Sequence, residues 1–494
     1  MLLRNTLYNL LGLGLPLVVA IGSMPVLIHH LGDSRFGVLT LIWAVVSYFG
    51  LFDLGLGRAL TQQLSLLMAE KREADIPPLI YTSSLLLLSL GIFAGILMWL
   101  GANWGAKQMA YDGDIGEIVG SIHVMAIAMP FIVLTSGLRG ILEAKLAFAT
   151  INLIRFPMGI FTFIGPLVVV LWYKNDLISV TLVLTIGRVI ACLAHGYFAM
   201  RAVPGMLSDR QYSGKFLKPL MVAGGWMTVS NIISPLMSYL DRFLISITIS
   251  AAAVAYYVTP NEMITKLWII PGALTAVLFP KFSAPIGDVE NSEILNLFRR
   301  SVFYLILVIA PLTLIISFAS QDILSLWLGH AFSEKSRNIL KIFSYGVLLS
   351  SIAQIPFSLL QGNGRSFITA RIHVIEFPVY CLMLWLGATH FGLMGAALIW
   401  LLRISVDTYL MFYCSFKIFD LRFKELFGMK FLILLSIITI SFLLSFFENG
   451  ILRSFLFLFS ILFLSIYIWK IYLVTGEKFF IIEKFKKITG NKNA

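Results

Sequence analysis

Long apolar runs, broken by short joints of charge, glycine, proline or amide residues, set the pattern of this 494-residue chain. Fourteen runs can be marked, at about 5–31, 36–67, 79–102, 118–142, 153–173, 177–200, 219–248, 254–280, 302–326, 339–361, 372–390, 393–416, 430–447 and 451–474. About 20 apolar residues make one helix that crosses the hydrocarbon of a bilayer. No run shows the ten-residue alternation of a membrane β-strand. The pattern therefore predicts an all-α polytopic membrane protein with about 14 transmembrane helices. Its joints are short, the longest lying near 201–218 and 281–301, so no extramembrane domain fits between the spans.

Composition agrees. Hydrophobic residues make up 59% of the chain and charged residues 13%, about half the charged share of a soluble domain. A single soluble core, a disordered chain and a disulfide scaffold are excluded together. The three cysteines, Cys192, Cys381 and Cys414, fall inside apolar runs with no CxxC spacing, so neither a zinc site nor a disulfide framework is indicated. The N-terminal stretch to Leu31 continues through Pro25 without a small-residue cleavage site and reads as the first span rather than a signal peptide.

A net charge of +12 would suggest nucleic acid in a soluble protein. Here its distribution says otherwise. With the N-terminus in the cytoplasm, 24 of the 37 Lys and Arg fall on inner joints or the adjoining run ends, 7 on outer joints or the adjoining run ends, and the other 6 within the runs. Positive charge stays on the cytoplasmic side, which places both termini there and calls for no nucleic-acid partner.

The chain also repeats itself. Ile154-Arg155-Phe156-Pro157 corresponds to Ile375-Glu376-Phe377-Pro378 at an offset of 221, the joint at 32–35 to 250–253 at 218, and Arg188 to Arg403 at 215. Three matches near one offset predict two pseudo-symmetric six-helix bundles in the same orientation, the arrangement of a parallel repeat. The expected divisions are 1–210, 211–420 and 421–494, the last holding two extra helices and a basic cytoplasmic tail.

An ionisable group inside a membrane costs several kcal/mol unless it has a partner or lines a cavity. Arg188 and Arg403 lie mid-run at repeat-related positions. Asp407 follows Arg403 by one turn and can neutralise it; Arg188 has Cys192 at that position and no such partner. Asp53 and Arg58 flank Gly55 and Gly57, a weakened stretch suited to a bend or a bound headgroup. Asp241 and Arg242 are adjacent and point about 100° apart. Glu262 and Lys266 have ion-pair spacing within one helix. The arginines read as structural bridges or as a cationic lining for an anionic ligand, since guanidinium grips phosphate bidentately. Asp53, Asp241, Glu262 and Asp407 are the candidates for coupling to protons or sodium. His195 reads as a packed side chain. Asp112, Asp114 and Glu117, in the outer joint near 103–117, read as solvated charge. Gly91 and Gly95 read as a helix-packing pair.

No phosphate-loop, metalloprotease, nucleophile-elbow or acidic loop signature occurs, so an enzyme is not expected, nor a cofactor or a metal. LGDSRFGVLTL, FDLGLGRAL, YLDRFLISITI, AYYVTPNEM, LFPKFS, GLRGILEAKLAF and HFGLMGAALIWLLR together resemble the polysaccharide transporter branch of the multidrug/oligosaccharidyl-lipid/polysaccharide exporter superfamily, the lipid-linked oligosaccharide (O-antigen) flippases. The resemblance runs over about residues 5–416. It implies two lobes that alternate access, and a polyprenyl-diphosphate-linked oligosaccharide (undecaprenyl type) held by Arg58, Arg188, Arg242, Lys266 and Arg403. Also implied are an inner-membrane location, a lipid tail accommodated by the two extra spans, and membrane lipids and polysaccharide polymerase or export machinery as partners. A cation-coupled antiporter of the same superfamily is the alternative, with a membrane glycan polymerase or ligase behind it.

Overall fold

The computed structural model describes residues 2–49, 56–206, 208, 211–218, 220, 237, 239–282, 291–363, 365–419, 428–447 and 449–472. All regular structure among them is helical. In chain order the helices are α1 (Leu2–Phe49), α2 (Leu56–Ala69), α3 (Ile76–Gln108), α4 (Ile115–Ala144), α5 (Phe148–Trp172), α6 (Leu177–Ala202) and α7 (239–248). There follow α8 (Ala251–Thr265), α9 (Ile269–Phe282), α10 (Asn291–Phe318), α11 (Ser320–Leu328), α12 (His330–Gly362), α13 (Ser366–Ile418), α14 (Gly428–Leu444) and α15 (Gly450–Tyr467). Eight helical stretches of the described residues are long and apolar enough to cross a membrane. The chain is an all-α, multi-pass membrane protein.

At two of the expected joints the helices on either side meet at a single kinked glycine. α1 is broken at Gly32 (φ 77°, ψ 163°) and α13 at Gly392 (φ 60°, ψ −146°). No atom would meet an added Cβ at either position, so glycine is required there by backbone conformation and not by space. The joint expected at 32–35 thus narrows to one residue. Elsewhere side-chain caps start the helices: Asp114 accepts from the Gly116 N–H, and Asp176 accepts from the Ser179 N–H, both at 2.8 Å.

The chain divides into two compact units. The first comprises residues 1–258 and 373–396. Its tightest seams are made by glycine. A Cβ at Gly91 would lie 2.6 Å from the Pro130 Cα, and one at Gly95 2.7 Å from the Ala126 carbonyl oxygen, so α3 and α4 meet backbone to backbone as this packing pair predicts. Gly140 of α4 belongs to the same class. A Cβ at Gly140 would lie 2.5 Å from the Gly57 carbonyl oxygen, and the Thr61 hydroxyl lies 3.0 Å from the carbonyl oxygens of both glycines. At this position the glycine admits α4 to α2.

The second unit comprises residues 259–372 and 397–494. Phe298, Ile306 and Leu314 of α10 pack with Leu348, Ile352 and Leu359 of α12, all buried. The two extra apolar helices join this core through Leu434 and Ile438 of α14 and Leu464 of α15. Hydroxyl pairs Ser317–Ser445 and Tyr345–Thr439, each at 2.8 Å, fasten the contact. The other face of each is open, at Leu443 of α14 and at Phe455 and Leu458 of α15, all more than 60% exposed. The two extra helices are therefore docked on one side.

Candidate functional site

Arg188 lies 11 residues into α6, about 16 Å along a helix rising ~1.5 Å per residue, near the middle of a span. Leu184, Ala191, Cys192, His195 and Ala199 form the buried stripe of α6. Arg188 stands on that stripe, half-buried, four residues from Leu184 and from Cys192. It forms no ion pair or hydrogen bond with any described residue. An arginine here must draw a counter-charge from elsewhere, because removal from water costs several kcal/mol per ion even after relaxation. The neighbouring Gly187 is closed off by Phe161 and Met158 of α5. His195, two turns on, is buried and donates from Nδ1 to the Ala191 carbonyl at 2.8 Å, so it is packed, as its sequence setting suggests.

Asp241 and Arg242, also in the first unit, are both buried. The Arg242 amide donates to Asp241 Oδ1 at 2.8 Å, and the guanidinium lies 4.8 Å from the Tyr239 ring centroid, a cation–π contact. In the second unit Glu262 and Lys266 form the ion pair their spacing predicts, at 2.9 Å. Both remain partly exposed, so the pair is worth little on its own. Arg403 and Asp407, one turn apart on α13, are both half-buried. Asp53 and the Arg58 side chain lie outside the described residues, as do most of the first half of the span expected at 219–248 and the basic tail beyond 472.

A charged cluster that the sequence reading missed sits in the first unit, at the helix ends assigned to the outer face. Glu117 is buried rather than solvated. Its carboxylate accepts from Arg35 Nε at 3.0 Å, the Leu177 N–H at 2.8 Å and the Tyr111 hydroxyl at 3.3 Å. Burial opposes the Arg35 charge, but Glu117 outweighs it and raises the guanidinium pKa. Burial and the Glu117 charge together raise that of Tyr111. Ala110 is hydrogen-bonded on both sides: its N–H donates to the Ser246 carbonyl at 3.1 Å, and its carbonyl accepts from the Ala251 N–H at 2.9 Å. The Tyr256 hydroxyl donates to Asp33. A Cβ at Gly37 would overlap the Ala251 carbonyl, so α1 and α8 touch through backbone. The chain thus ties α1, just past its break at Gly32, to the ends of α4, α6, α7 and α8. Asp33, Arg35, Gly37, Ser246 and Tyr256 fall in segments marked by the resemblance; Glu117 carries no local pattern.

A bundle of long helices, with glycine breaks and ionisable side chains inside the spans, defines a membrane transporter fold. An inward-facing multidrug resistance MATE family transporter of the MOP superfamily matches it with a TM-score of 0.72 at 14% identity, over 84% of this chain and 94% of that one. The chain belongs to the polysaccharide biosynthesis protein family, whose model matches residues 2–284. It is 32% identical over 411 residues to a putative O-antigen transporter of Shigella flexneri, covering 83% of this chain and 96% of the relative. It is also 22% identical to the lipopolysaccharide biosynthesis protein WzxC of Escherichia coli, over 83% of this chain and 78% of that one.

Proposed function

We propose that this protein is a flippase that carries a polyprenyl-diphosphate-linked oligosaccharide from the cytoplasmic to the outer leaflet of the bacterial inner membrane. The repeat-related halves, 1–210 and 211–420, alternate access, and both termini are cytoplasmic. Family membership and the kinship with a putative O-antigen transporter support the substrate class. One observation carries the chemistry: Arg188 sits mid-span on a buried stripe with no ion pair or hydrogen bond to a described residue. A diphosphate supplies the missing counter-charge, and a guanidinium in low dielectric binds it strongly. Arg403, Arg242, Lys266 and Arg58 add cations for the same headgroup, and Asp241, Asp407, Glu262 and Asp53 are the groups that couple transport to an ion gradient. Asp241, buried beside Arg242, is the foremost of these.

Replacing Arg188 by Ala and, separately, by Lys tests the reading. Surface polysaccharide is measured at matched protein level. Export falls by at least about tenfold in Arg188→Ala, the loss of one charge-assisted pair, and recovers in part in Arg188→Lys. Full export from Arg188→Ala, and from the Arg188→Ala/Arg403→Ala double variant, removes both residues from the mechanism.

A further inference from the structure

Helices α2, α4 and α6 all end on the side that charge assigns to the cytoplasm, and their ends meet around one cavity. Met68 lies at the end of α2, Lys145 just past α4 and Val203 just past α6, while Glu73 and Pro77 bound it from the start of α3. The cavity holds about 400 Å³, in the range of small-molecule sites. Three of the membrane-crossing stretches, 73–108, 115–144 and 177–202, have an end here, so the cavity lies at the membrane surface, at headgroup level.

Among its described lining residues only Glu73 and Lys145 are ionisable. Both are exposed, and neither forms an ion pair or hydrogen bond with a described residue. The nearby Asp75 is already taken by Arg72 and Lys215. The final carbonyls of a helix lack partners within it and carry partial negative charge. Three such ends gather at this cavity, whereas the start of α3 has Pro77 and Pro78 in place of two N–H donors. The backbone therefore adds acceptors to Glu73, and Lys145 stands against them as the one cation.

The two turns that carry these side chains are built alike. Lys71 and Leu146, both with φ 56°, are the only described non-glycine residues with positive φ. At each turn two amides fold back onto the helix end, Lys71 to Met68 with Arg72 to Leu67, and Leu146 to Glu143 with Ala147 to Leu142. This is the closure that glycine usually makes, and a residue with a Cβ keeps it only where its surroundings hold it. Leu146 and Phe148 are 74% and 55% exposed; at the end of a span such side chains gain by contact with acyl chains.

We propose that this cavity binds the phosphoethanolamine headgroup of an inner-leaflet phospholipid. Lys145 takes the phosphate in a charge-assisted pair, and the ammonium donates to Glu73 and the helix-end carbonyls. A choline headgroup has no N–H to donate, and a glycerol headgroup has no cation for Glu73. The assignment needs only that the chain spans the membrane, and it stands apart from Arg188 and the cations of the transported headgroup. Val203 and Pro204 begin the joint between the repeat-related halves. Further along, that joint is pinned to α3 by Lys215 on Asp75 and by the Ser213 N–H on Thr82 Oγ1 at 3.0 Å. A bound headgroup thus fastens the start of the joint as well, and phosphatidylethanolamine should raise the unfolding midpoint.

The test uses the full-length protein in phosphatidylcholine nanodiscs with a trace of phosphatidylethanolamine that bears a diazirine at the carboxyl end of one acyl chain. Adducts mapped by mass spectrometry are expected on peptides covering 68–77, 143–148 and 203–206. Unlabelled phosphatidylethanolamine should displace the probe; phosphatidylglycerol and water-soluble glycerophosphoethanolamine should not. Glu73→Gln and Lys145→Gln should each lower labelling there about tenfold, the loss of one charge-assisted pair.

Displacement by phosphatidylglycerol reports a plain anion site, and displacement by glycerophosphoethanolamine a soluble ligand. Labelling spread evenly over the lipid-facing helices reports bulk contact. Each overturns the proposal, as does unchanged labelling in either variant, and none of them touches the flippase reading. Should a variant misfold, the adduct map and the competition on the unaltered protein still decide.

Discussion

Glu117 gives the sharpest energetic test of this structure. Its carboxylate is only 7% exposed, while its partner Arg35 is 37% exposed. Hydrogen bonds to charged groups contribute about 1.5–3 kcal/mol, and breaking a fully buried pair costs about 3–5. The exposure of Arg35 brings the ion pair down to about 1–2 kcal/mol. Glu117→Gln keeps the volume and one acceptor for the Leu177 amide, so it should lose about that much. Glu117→Ala also strands the Leu177 N–H, worth roughly 1 kcal/mol more, and should cost about 3 in all. Reversible unfolding in mixed detergent micelles measures each variant, and a double-mutant cycle with Arg35→Ala isolates the pair. The coupling should be about 1–2 kcal/mol. Additivity of Glu117→Gln and Arg35→Ala to within about 0.5 kcal/mol would refute the assignment of Glu117 as a buried ion-pair centre and return it to solvated charge.

Two further outcomes are expected. Gly32→Ala and Gly392→Ala should each cost about 1–3 kcal/mol, because both positions have positive φ with ψ of 163° and −146° respectively, a region nearly closed to residues with a Cβ; unfolding midpoints check this, and an unchanged midpoint contradicts the break geometry. Burial raises the pKa of Asp176, but the Ser179 N–H and hydroxyl and the Lys174 ammonium outweigh it and hold it below the ordinary value. The unfolded chain therefore binds the proton first, so the contribution is full above about pH 4 and lost as pH falls through the folded pKa. Thermal scans from pH 6 to 3 should show wild type losing stability relative to Asp176→Asn below about pH 4; parallel curves would disprove the shift.

Local pattern was enough for the bundle because a bilayer imposes one strong rule: backbone polar groups must be satisfied within the helix and side chains must be apolar. The same rule makes a mid-span cation conspicuous, which is how Arg188 and Arg403 stand out. It also makes the Glu262–Lys266 pair legible, since one helical turn fixes which side chains meet. Gly91 and Gly95 were legible for a similar reason.

The rest depends on contacts between residues far apart in the chain. Gly91/Gly95 and Gly101/Gly105 look alike along α3, yet one pair meets α4 and the other opens a cleft. Glu117 has the local setting of a solvated loop residue, and only the approach of Arg35 and Leu177, 82 and 60 residues away, makes it a buried hub. By itself, then, the sequence determined the membrane class, the positions of most helices and the cations that have no place in hydrocarbon, because these follow from transfer energies of single residues. Tertiary structure alone decided which glycines close a seam, which leave a cavity and which carboxylate is enclosed, because burial belongs to the set of neighbours and not to the residue.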